Sequence, residues 1–166
     1  GATSLTDIAN ELHIKKASLY NHFNNREDLL AQTTSSCADY IRAITFIPPD
    51  VDTIAKKYSP ETVLKGMVNR YFKMHEKSPL FQIYTFVESQ KYFNADAAAI
   101  VKEEKEKICK QTVQVLLALA EQGKVFLTKS SAEYAATWFC SGVNDLLNLY
   151  LVDRKQVVLK NPASGE

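Results

Sequence analysis

A short stretch near the N-terminus carries side chains that could read DNA bases. If residues 15–21 form a helix, the apolar Leu19 points to one side, while Ala17, Ser18 and Asn21 point to the other. Small side chains allow a helix to approach a DNA groove closely. An asparagine side chain can form two hydrogen bonds with adenine, and the methyl group of Ala17 could contact a thymine methyl group. The stretch is therefore a candidate recognition helix for the major groove.

Side chains on the two shoulders of this face could hold the phosphate backbone. Contacts with phosphates fix the position of a protein on DNA without reading its sequence. Helix N-termini at Ser4 and Asn25 could direct backbone N–H groups at phosphates for the same purpose. The candidate DNA-binding residues are Thr3, Ser4, Lys15, Lys16, Ala17, Ser18, Tyr20, Asn21, His22 and Arg26.

The sequence predicts two short helices and a turn that would position these side chains. Ser4 and Asp7 have the spacing of a capping box, which starts a helix. Apolar residues at positions 5, 8, 9 and 12 then fall on one helix face. His13-Ile14 forms the turn, and the second helix runs over about 15–21. Asn25 is the predicted N-cap of a longer helix that ends near residue 44.

Net charge alone does not indicate that this segment binds DNA. The whole chain has a formal net charge of +1, and residues 1–32 hold three basic and four acidic side chains. DNA binding would therefore depend on where the few cations lie, with a modest salt dependence. An ordinary helical hairpin whose polar face only meets water is the alternative interpretation of the pattern.

The remaining sequence predicts more helices and no strands, so the fold class is all-α. Glycine and proline are scarce, with five of each in 166 residues, and this scarcity favours helices. Helix starts are predicted at Ser59-Pro60, Ser78-Pro79, Asn94 and Ser130-Ser131. The last three of these helices are predicted to end near residues 92, 123 and 152. The charged run 102–107 is interpreted as a solvated, ion-paired helix face.

A proline pair suggests where the chain divides. Pro48-Pro49-Asp50 is typical of a linker. We therefore predict a domain over residues 1–45, which contains the helix-turn-helix and a connecting helix. A second, helical domain is predicted over residues 46–166.

The sequence offers little for an enzyme or a metal protein. None of the three histidines has an acidic residue or a second metal ligand three or four positions away, as a helical metal site would need. No glycine-rich phosphate loop and no nucleophile-elbow motif is present. We therefore expect no catalytic residue, no metal and no cofactor.

Cysteine content and hydropathy provide information on the cellular compartment. Cys37, Cys109 and Cys140 are interpreted as buried small residues in a reducing compartment, with a redox switch as the less favoured alternative. No stretch is apolar and long enough to span a membrane, and the N-terminus is no signal peptide. A cytoplasmic protein without a membrane partner is expected.

Three stretches of the N-terminal segment resemble the tetracycline-repressor (TetR) family. They are Thr3-Ser4-Leu5-Thr6-Asp7-Ile8-Ala9, then Ile14-Lys15-Lys16-Ala17-Ser18-Leu19-Tyr20-Asn21-His22-Phe23, then Arg26-Glu27-Asp28-Leu29-Leu30. Their order and spacing are similar to the family pattern T-(T/S)-x-x-(D/E)-I-A, G-V-S-x-G-(T/S)-L-Y, H-F and K-(E/D)-x-L-L. The resemblance implies a bacterial DNA-binding helix-turn-helix.

The sequence departs from the family pattern at several points. His13 stands where the family has a turn glycine, so this residue is expected to be left-handed at some cost, or the turn differs. Lys15 replaces the serine that caps the recognition helix, which exchanges a cap for a cation. The family's first helix is not seen before Thr3, and we expect a truncated or disordered segment there. A further dimer helix is not seen after the last predicted one.

The resemblance also implies that the domain over residues 46–166 dimerises and binds a small effector molecule among its middle helices. Methionine and aromatic side chains in this region would suit an apolar or amphipathic ligand, although each of them could equally be a core residue. The candidate pocket residues are Met67, Tyr71, Met74, His75, Phe86 and Trp138.

The last predicted helix has apolar residues around most of its circumference. A helix of this kind is buried on two sides, either at a two-fold dimer interface or in the centre of a monomer. We favour the dimer. The candidate interface residues are Trp138, Phe139, Gly142, Val143, Leu146, Leu147 and Tyr150.

The expected function is ligand-responsive regulation of transcription. A homodimer would bind a palindromic site on double-stranded DNA, as a repressor that is released when a small molecule binds. The alternative is a helical interaction or sequestering protein with a head that no longer binds DNA.

Overall fold

A computed structural model describes residues 3–161 of the chain. This part forms helices without any strand, which confirms the all-α prediction. The helices are α1 (Leu5–Glu11), α2 (Lys16–Tyr20), α3 (Arg26–Ala43), α4 (Val51–Lys57), α5 (Pro60–His75), α6 (Leu80–Gln90), α7 (Ala95–Glu121) and α8 (Lys129–Lys160). Among the described residues, no helix is both long and apolar enough to cross a membrane.

The first two helices pack against each other and form the head of the molecule. The predicted capping box starts α1: the backbone N–H of Ser4 donates to Asp7 Oδ2 at 2.8 Å, and the N–H of Asp7 donates to Ser4 Oγ at 3.2 Å. Leu5, Ala9 and Leu19 are buried in this helix pair. Periodicity and capping thus specify the head locally.

The turn between α1 and α2 confirms the strained alternative predicted for His13. This residue has φ +53°, in the left-handed region that costs a residue with a Cβ atom energy. Lys15 is the N-cap of α2 and makes no side-chain capping bond, as its side chain cannot accept one. Both departures from the family pattern therefore cost the head local stability.

The body is built around α7, which contacts α3, α4, α6 and α8. Its buried face follows helical spacing through Ala97, Ile100, Glu104, Ile108 and Thr112. The interpretation of 102–107 as a fully solvated face is therefore wrong in part. Glu104 points into the core and is only 6% exposed, because it lies one turn from Ile100 and one turn from Ile108.

Two other helices differ from the sequence prediction. The short α4 was not predicted; the side chain of Asp50 starts it by accepting from the N–H of Thr53 at 3.2 Å. The last helix begins two residues earlier than Ser131, because Thr128 is its N-cap and Ser131 completes the capping box. It also continues to Lys160 instead of ending near residue 152. Residues 162–166 lie outside the described part.

The connecting helix α3 joins the head to the body. Its Cys37, Ala38 and Ile41 are buried and belong to the main apolar core. α3 packs against α6 and α7 of the body. The predicted boundary at residue 45 therefore comes directly after a helix that is itself packed against the body. The division into two domains stays a prediction.

Candidate nucleic-acid interface and ligand cavities

The predicted recognition face lies on the surface of the head. Leu19 is buried, whereas Lys15, Lys16, Ala17, Ser18, Tyr20, Asn21 and His22 are all exposed. Ala17 and Asn21 are one helical turn apart, so they share one face. The Lys16 ammonium lies 5.4 Å from the centre of the Tyr20 ring, which places a cation beside the phenol on one shoulder.

A recess of about 400 Å³ brings four of the predicted DNA-binding residues together. Thr3, Ser4, Tyr20 and Arg26 line it, together with Leu5, Asn24 and Asn25. The recess therefore lies between the start of α1, the end of α2 and the start of α3. This arrangement of hydroxyl groups, a guanidinium and helix N-termini is suited to a phosphate group.

Two of the four acidic side chains in the head are engaged in helix caps. Asp7 accepts from the N–H and hydroxyl of Ser4, and these bonds lower the pKa of Asp7. Asp28 accepts from the Gln32 amide and from the N–H of Asn24, which lowers its pKa too. Both carboxylates therefore stay ionised at neutral pH, and their hydrogen bonds serve the helix starts.

The predicted pocket residues are not gathered around one cavity. Tyr71 and His75 are buried in the core between α5, α6 and α7. Met67 lines a cavity of about 200 Å³ between the linker, α4 and α5. Phe86 lines a larger cavity between α6 and α8. Met74 is half-buried, and Trp138 is 79% exposed on α8.

The larger cavity has a volume of about 570 Å³. Volumes of this size are usual for small-molecule sites. It is lined by Gln82, Tyr84, Thr85, Phe86, Glu88, Ser89, Lys91, Asn148, Leu151, Val152 and Lys155. Phe86 is one of the six candidate pocket residues, and Tyr84 and Glu88 were considered as an aromatic and a polar side chain of the same region. The residues from α8 were not found, because the pairing of α6 with the second half of α8 is a tertiary contact.

A buried polar cluster lies beside this cavity, and only part of it was anticipated. The Tyr71 hydroxyl donates to Glu104 Oε1 at 3.1 Å, and the Tyr84 hydroxyl donates to Asn144 Oδ1 at 3.1 Å. His75 Nδ1 lies 2.8 Å from the carbonyl oxygen of Tyr71. Nδ1 therefore carries the proton, since a carbonyl oxygen only accepts.

Burial shifts the pKa values in this cluster. Loss of hydration raises the pKa of Glu104 to about 7, and the bond from Tyr71 offsets only part of that rise. Burial lowers the pKa of His75 to about 4. Desolvation disfavours the charged form in both cases. At neutral pH the histidine is therefore uncharged, while Glu104 titrates.

The predicted interface residues divide between two faces of α8. Val143 and Leu147 are buried, and Phe139 and Tyr150 pack against the same core. Trp138, Gly142 and Leu146 are instead exposed. Tyr134, Leu149 and Val152 are also exposed and continue this face along the helix, which the helical spacing from Tyr134 could have revealed.

The three cysteines are free thiols, and the described residues contain no cluster of histidine, cysteine and acidic groups that could hold a metal ion. Cys37 and Cys140 are buried. Burial raises the pKa of Cys140 to about 12, which disfavours the reactive thiolate.

Comparison with known proteins identifies the head. Residues 1–33 match the model of the family described as "Bacterial regulatory proteins, tetR family". The "Biofilm operon icaADBC HTH-type negative transcriptional regulator IcaR" of Staphylococcus aureus strain Newman is 31% identical over 75 residues, 45% of this chain and 38% of the regulator. IcaR of Staphylococcus epidermidis strain ATCC 35984 is 28% identical over 71 residues, 43% of this chain and 34% of that protein.

The chain thus spans well under half the length of these relatives, 38% and 34%. The family resemblance was predicted from the order and spacing of residues 3–30, and the family model covers the same stretch. Residues 1–33 of the chain are thus similar to the tetR family of bacterial regulatory proteins.

Proposed function

We propose that this protein is a DNA-binding repressor of transcription. The observation that carries the proposal is the exposed face of α2 beside the recess that Ser4, Tyr20 and Arg26 share. Asn21 would read a base from the major groove, and the recess would hold a backbone phosphate. Control in the negative direction is supported by the similar IcaR proteins, which are named negative transcriptional regulators.

The proposed active form is a homodimer joined through α8. Tyr134, Trp138, Leu146, Leu149 and Val152 expose large apolar surfaces along one face of this helix. Gly142 lies within the face and has open space around its Cα atom. A self-complementary apolar helix face of this kind favours a two-fold interface. Two heads would then meet successive turns of a palindromic site.

The proposed regulator responds to a small apolar or amphipathic molecule. The cavity between α6 and α8 supports this proposal, because α6 also packs against α3, which carries the head. A ligand that binds better to one spacing of the two heads shifts the dimer toward that spacing. Release from DNA follows if the favoured spacing does not fit the operator.

A mobility-shift experiment on DNA from upstream of the protein's own gene tests DNA binding. Tyr20 lines the phosphate recess, and Tyr20→Phe removes its hydroxyl, so affinity should fall several-fold for all sequences. Tyr40→Phe is the matched control, since Tyr40 is also exposed but lies on α3. Asn21→Ala should relax specificity at one base step, whereas Asn10→Ala on α1 should not.

The outcome decides between the repressor and its alternative. Retardation that is selective for one sequence, weakened by the Tyr20 and Asn21 variants only, supports the repressor. Absence of sequence-selective retardation at low salt would favour a sequestering protein with an incompetent head. The small number of cations in the head is the observation behind that alternative.

A further inference from the structure

Two of the three cysteines lie opposite each other on the neighbouring helices α7 and α8. The Cys109 sulfur on α7 lies 4.0 Å from the carbonyl oxygen of Ala136, one helical turn before Cys140 on α8. The Cys140 sulfur lies 3.2 Å from the hydroxyl oxygen of Thr112, one turn after Cys109 on α7. Each cysteine therefore contacts the helical turn that carries the other.

The two thiols also affect each other. Burial raises the pKa of the Cys140 thiol most, and interaction with the Cys109 thiol raises it further. The pKa of Cys37 on α3 is raised by burial alone, so neither of the other thiols shifts it. Cys109 and Cys140 thus form a pair from which Cys37 is separate.

The packing of α7 on α8 allows a covalent bridge at this pair. Ala132 and Ala136 of α8 are fully buried and pack with Leu116 of α7. Helix axes that pack through small side chains lie at the short end of the usual range, about 8 Å apart. Facing Cα atoms can then fall within the distance of about 7 Å that a disulfide requires.

The two cysteines differ in exposure, which gives them different roles. Cys109 is half-buried, whereas Cys140 is buried. An oxidant in the solvent reaches the more accessible thiol first. The raised pKa of Cys140 keeps it a thiol at neutral pH, so Cys140 is not the first target of oxidation. Its sulfur is instead placed to react with an oxidised Cys109.

We propose that Cys109 and Cys140 are a peroxide-sensitive modification site that forms a disulfide between α7 and α8. In the first step the Cys109 sulfur breaks the O–O bond of hydrogen peroxide, which yields a sulfenic acid and water. In the second step the Cys140 sulfur attacks the Cys109 sulfur. The S–S bond forms, the S–O bond breaks, and the hydroxyl group leaves with the Cys140 proton as water. The two thiols together give two electrons and two protons to the peroxide.

The bridge would also fix α7, which packs on the head-bearing helix α3, to α8. Its effect on DNA binding rests on the proposed repressor function, whereas the thiol chemistry does not.

Mass spectrometry of the full, folded chain tests the bridge. The reduced protein is treated with hydrogen peroxide, its free thiols are blocked with iodoacetamide, and it is digested without reductant. Before blocking, the mass of the chain should fall by that of two hydrogen atoms. The digest should contain a peptide that links Cys109 to Cys140, with Cys37 blocked as a free thiol. Dithiothreitol should restore the original mass.

Variants separate the two roles. Cys140→Ala removes the second thiol, so the sulfenic acid of Cys109 should persist and react with dimedone much more than in the unchanged protein. Cys109→Ala should leave Cys140 a free thiol after the same treatment. Cys37→Ala is the matched control, and it should form the bridge as the unchanged protein does.

The inference is overturned if all three cysteines remain free thiols, or if Cys109 becomes a sulfinic acid while Cys140 stays free. A link from Cys109 to Cys37 or to a second chain would also overturn it, as would equal dimedone labelling of Cys140→Ala and the unchanged protein. The unchanged protein decides all but the last, even if a variant does not fold. None of these results concerns DNA, so a failed inference leaves the repressor proposal standing, and a failed repressor proposal leaves the thiol chemistry intact.

Discussion

The Lys107 ammonium of α7 lies 2.8 Å from the carbonyl oxygen of Ile41 and 2.8 Å from that of Ile44. It thus donates to the C-terminal end of α3, where carbonyl groups have no partner within the helix. A cation at this end also interacts favourably with the helix dipole. One side chain of the body therefore holds the helix that carries the head.

Two neighbours of Lys107 on α7 hold the same region. One turn earlier, Glu103 accepts from Arg42 Nε at 3.0 Å. One turn later, Gln111 Oε1 accepts from the backbone N–H of Phe46 at 2.9 Å. These polar side chains share one face of α7. They fix the end of α3 to the long helix that packs on α8, which links the head to the proposed dimer interface.

Replacing Lys107, the central one of these three polar residues on α7, tests its role. Lys107→Met keeps the apolar part of the side chain and removes the ammonium, so its hydrogen bonds to the carbonyl oxygens of Ile41 and Ile44 are lost. We expect the free energy of unfolding in urea to fall by about 1–2 kcal/mol, as for hydrogen bonds to a partly exposed charged group. Lys110→Met, on the exposed side of α7, should change it little. Equal losses in the two variants would contradict the capping role.

The turn in the head offers a substitution that should stabilise the protein. His13→Gly relieves the cost of a left-handed residue with a Cβ atom, and the glycine's greater freedom in the unfolded chain offsets part of that gain. The net gain should be about 0.5–1 kcal/mol in urea unfolding. Asn10→Gly, inside α1, should instead destabilise by about that amount. A loss of stability in His13→Gly would show that its side chain makes a compensating contact.

The head was predictable from sequence because local rules specify it. The Ser4–Asp7 capping box and the apolar spacing that buries Leu5 and Ala9 act within a few residues. Helical spacing from Ile100 and Ile108 could have placed Glu104 on the buried face of α7. The partners of Glu104 and Lys107 were not predictable, because they lie more than thirty residues away in the sequence. Tyr71 provides the donor to Glu104, and the end of α3 provides acceptors for Lys107. Without knowledge of these partners, a run of charged residues such as 102–107 is interpreted as a solvated helix face.

The buried Glu104 gives the stability of the protein a defined pH dependence. Its pKa is about 7 in the folded chain, against an ordinary value of 4.5. Between these values the folded state holds a proton that the unfolded state has lost, so this group stabilises less as pH rises from 4.5 to 7. Glu104→Gln removes the effect while its side-chain oxygen can still accept from Tyr71.

The measurement is the difference in unfolding free energy between Glu104→Gln and the unchanged protein across pH. The variant should gain up to about 3 kcal/mol relative to the unchanged protein between pH 4.5 and 7, with no further gain above. A difference that does not vary with pH would contradict the raised pKa.

The buried His75 gives the free energy of unfolding the opposite pH dependence to that of Glu104. The variant His75→Phe separates the contribution of His75 from that of Glu104. Because burial lowers the pKa of His75 to about 4, the unfolded state takes up a proton first as the pH falls below 6.5. This residue therefore costs stability between pH 6.5 and pH 4. His75→Phe should lose less stability than the unchanged protein over that range. Parallel pH curves for the two proteins would show that His75 titrates normally.

The exposed face of α8 leads to a prediction about the dimer. Leu149 is 60% exposed in the single chain, so Leu149→Glu should leave the helical content unchanged. In a dimer the same substitution would bury a charge without a partner. We therefore expect analytical ultracentrifugation to show a dimer for the unchanged protein and a monomer for Leu149→Glu. Tyr92→Glu, at another exposed aromatic residue, should remain dimeric.

Trp138 provides an independent optical test, because it is the single tryptophan of the chain. It is 79% exposed in the single chain, so its fluorescence should be that of a hydrated indole in a monomer. Burial in the dimer would shift the emission to shorter wavelength. Dilution of the unchanged protein and the Leu149→Glu substitution should then both shift the emission to longer wavelength. If the emission is that of a hydrated indole at every concentration, Trp138 lies outside the interface, and a dimer seen in the ultracentrifuge uses another face.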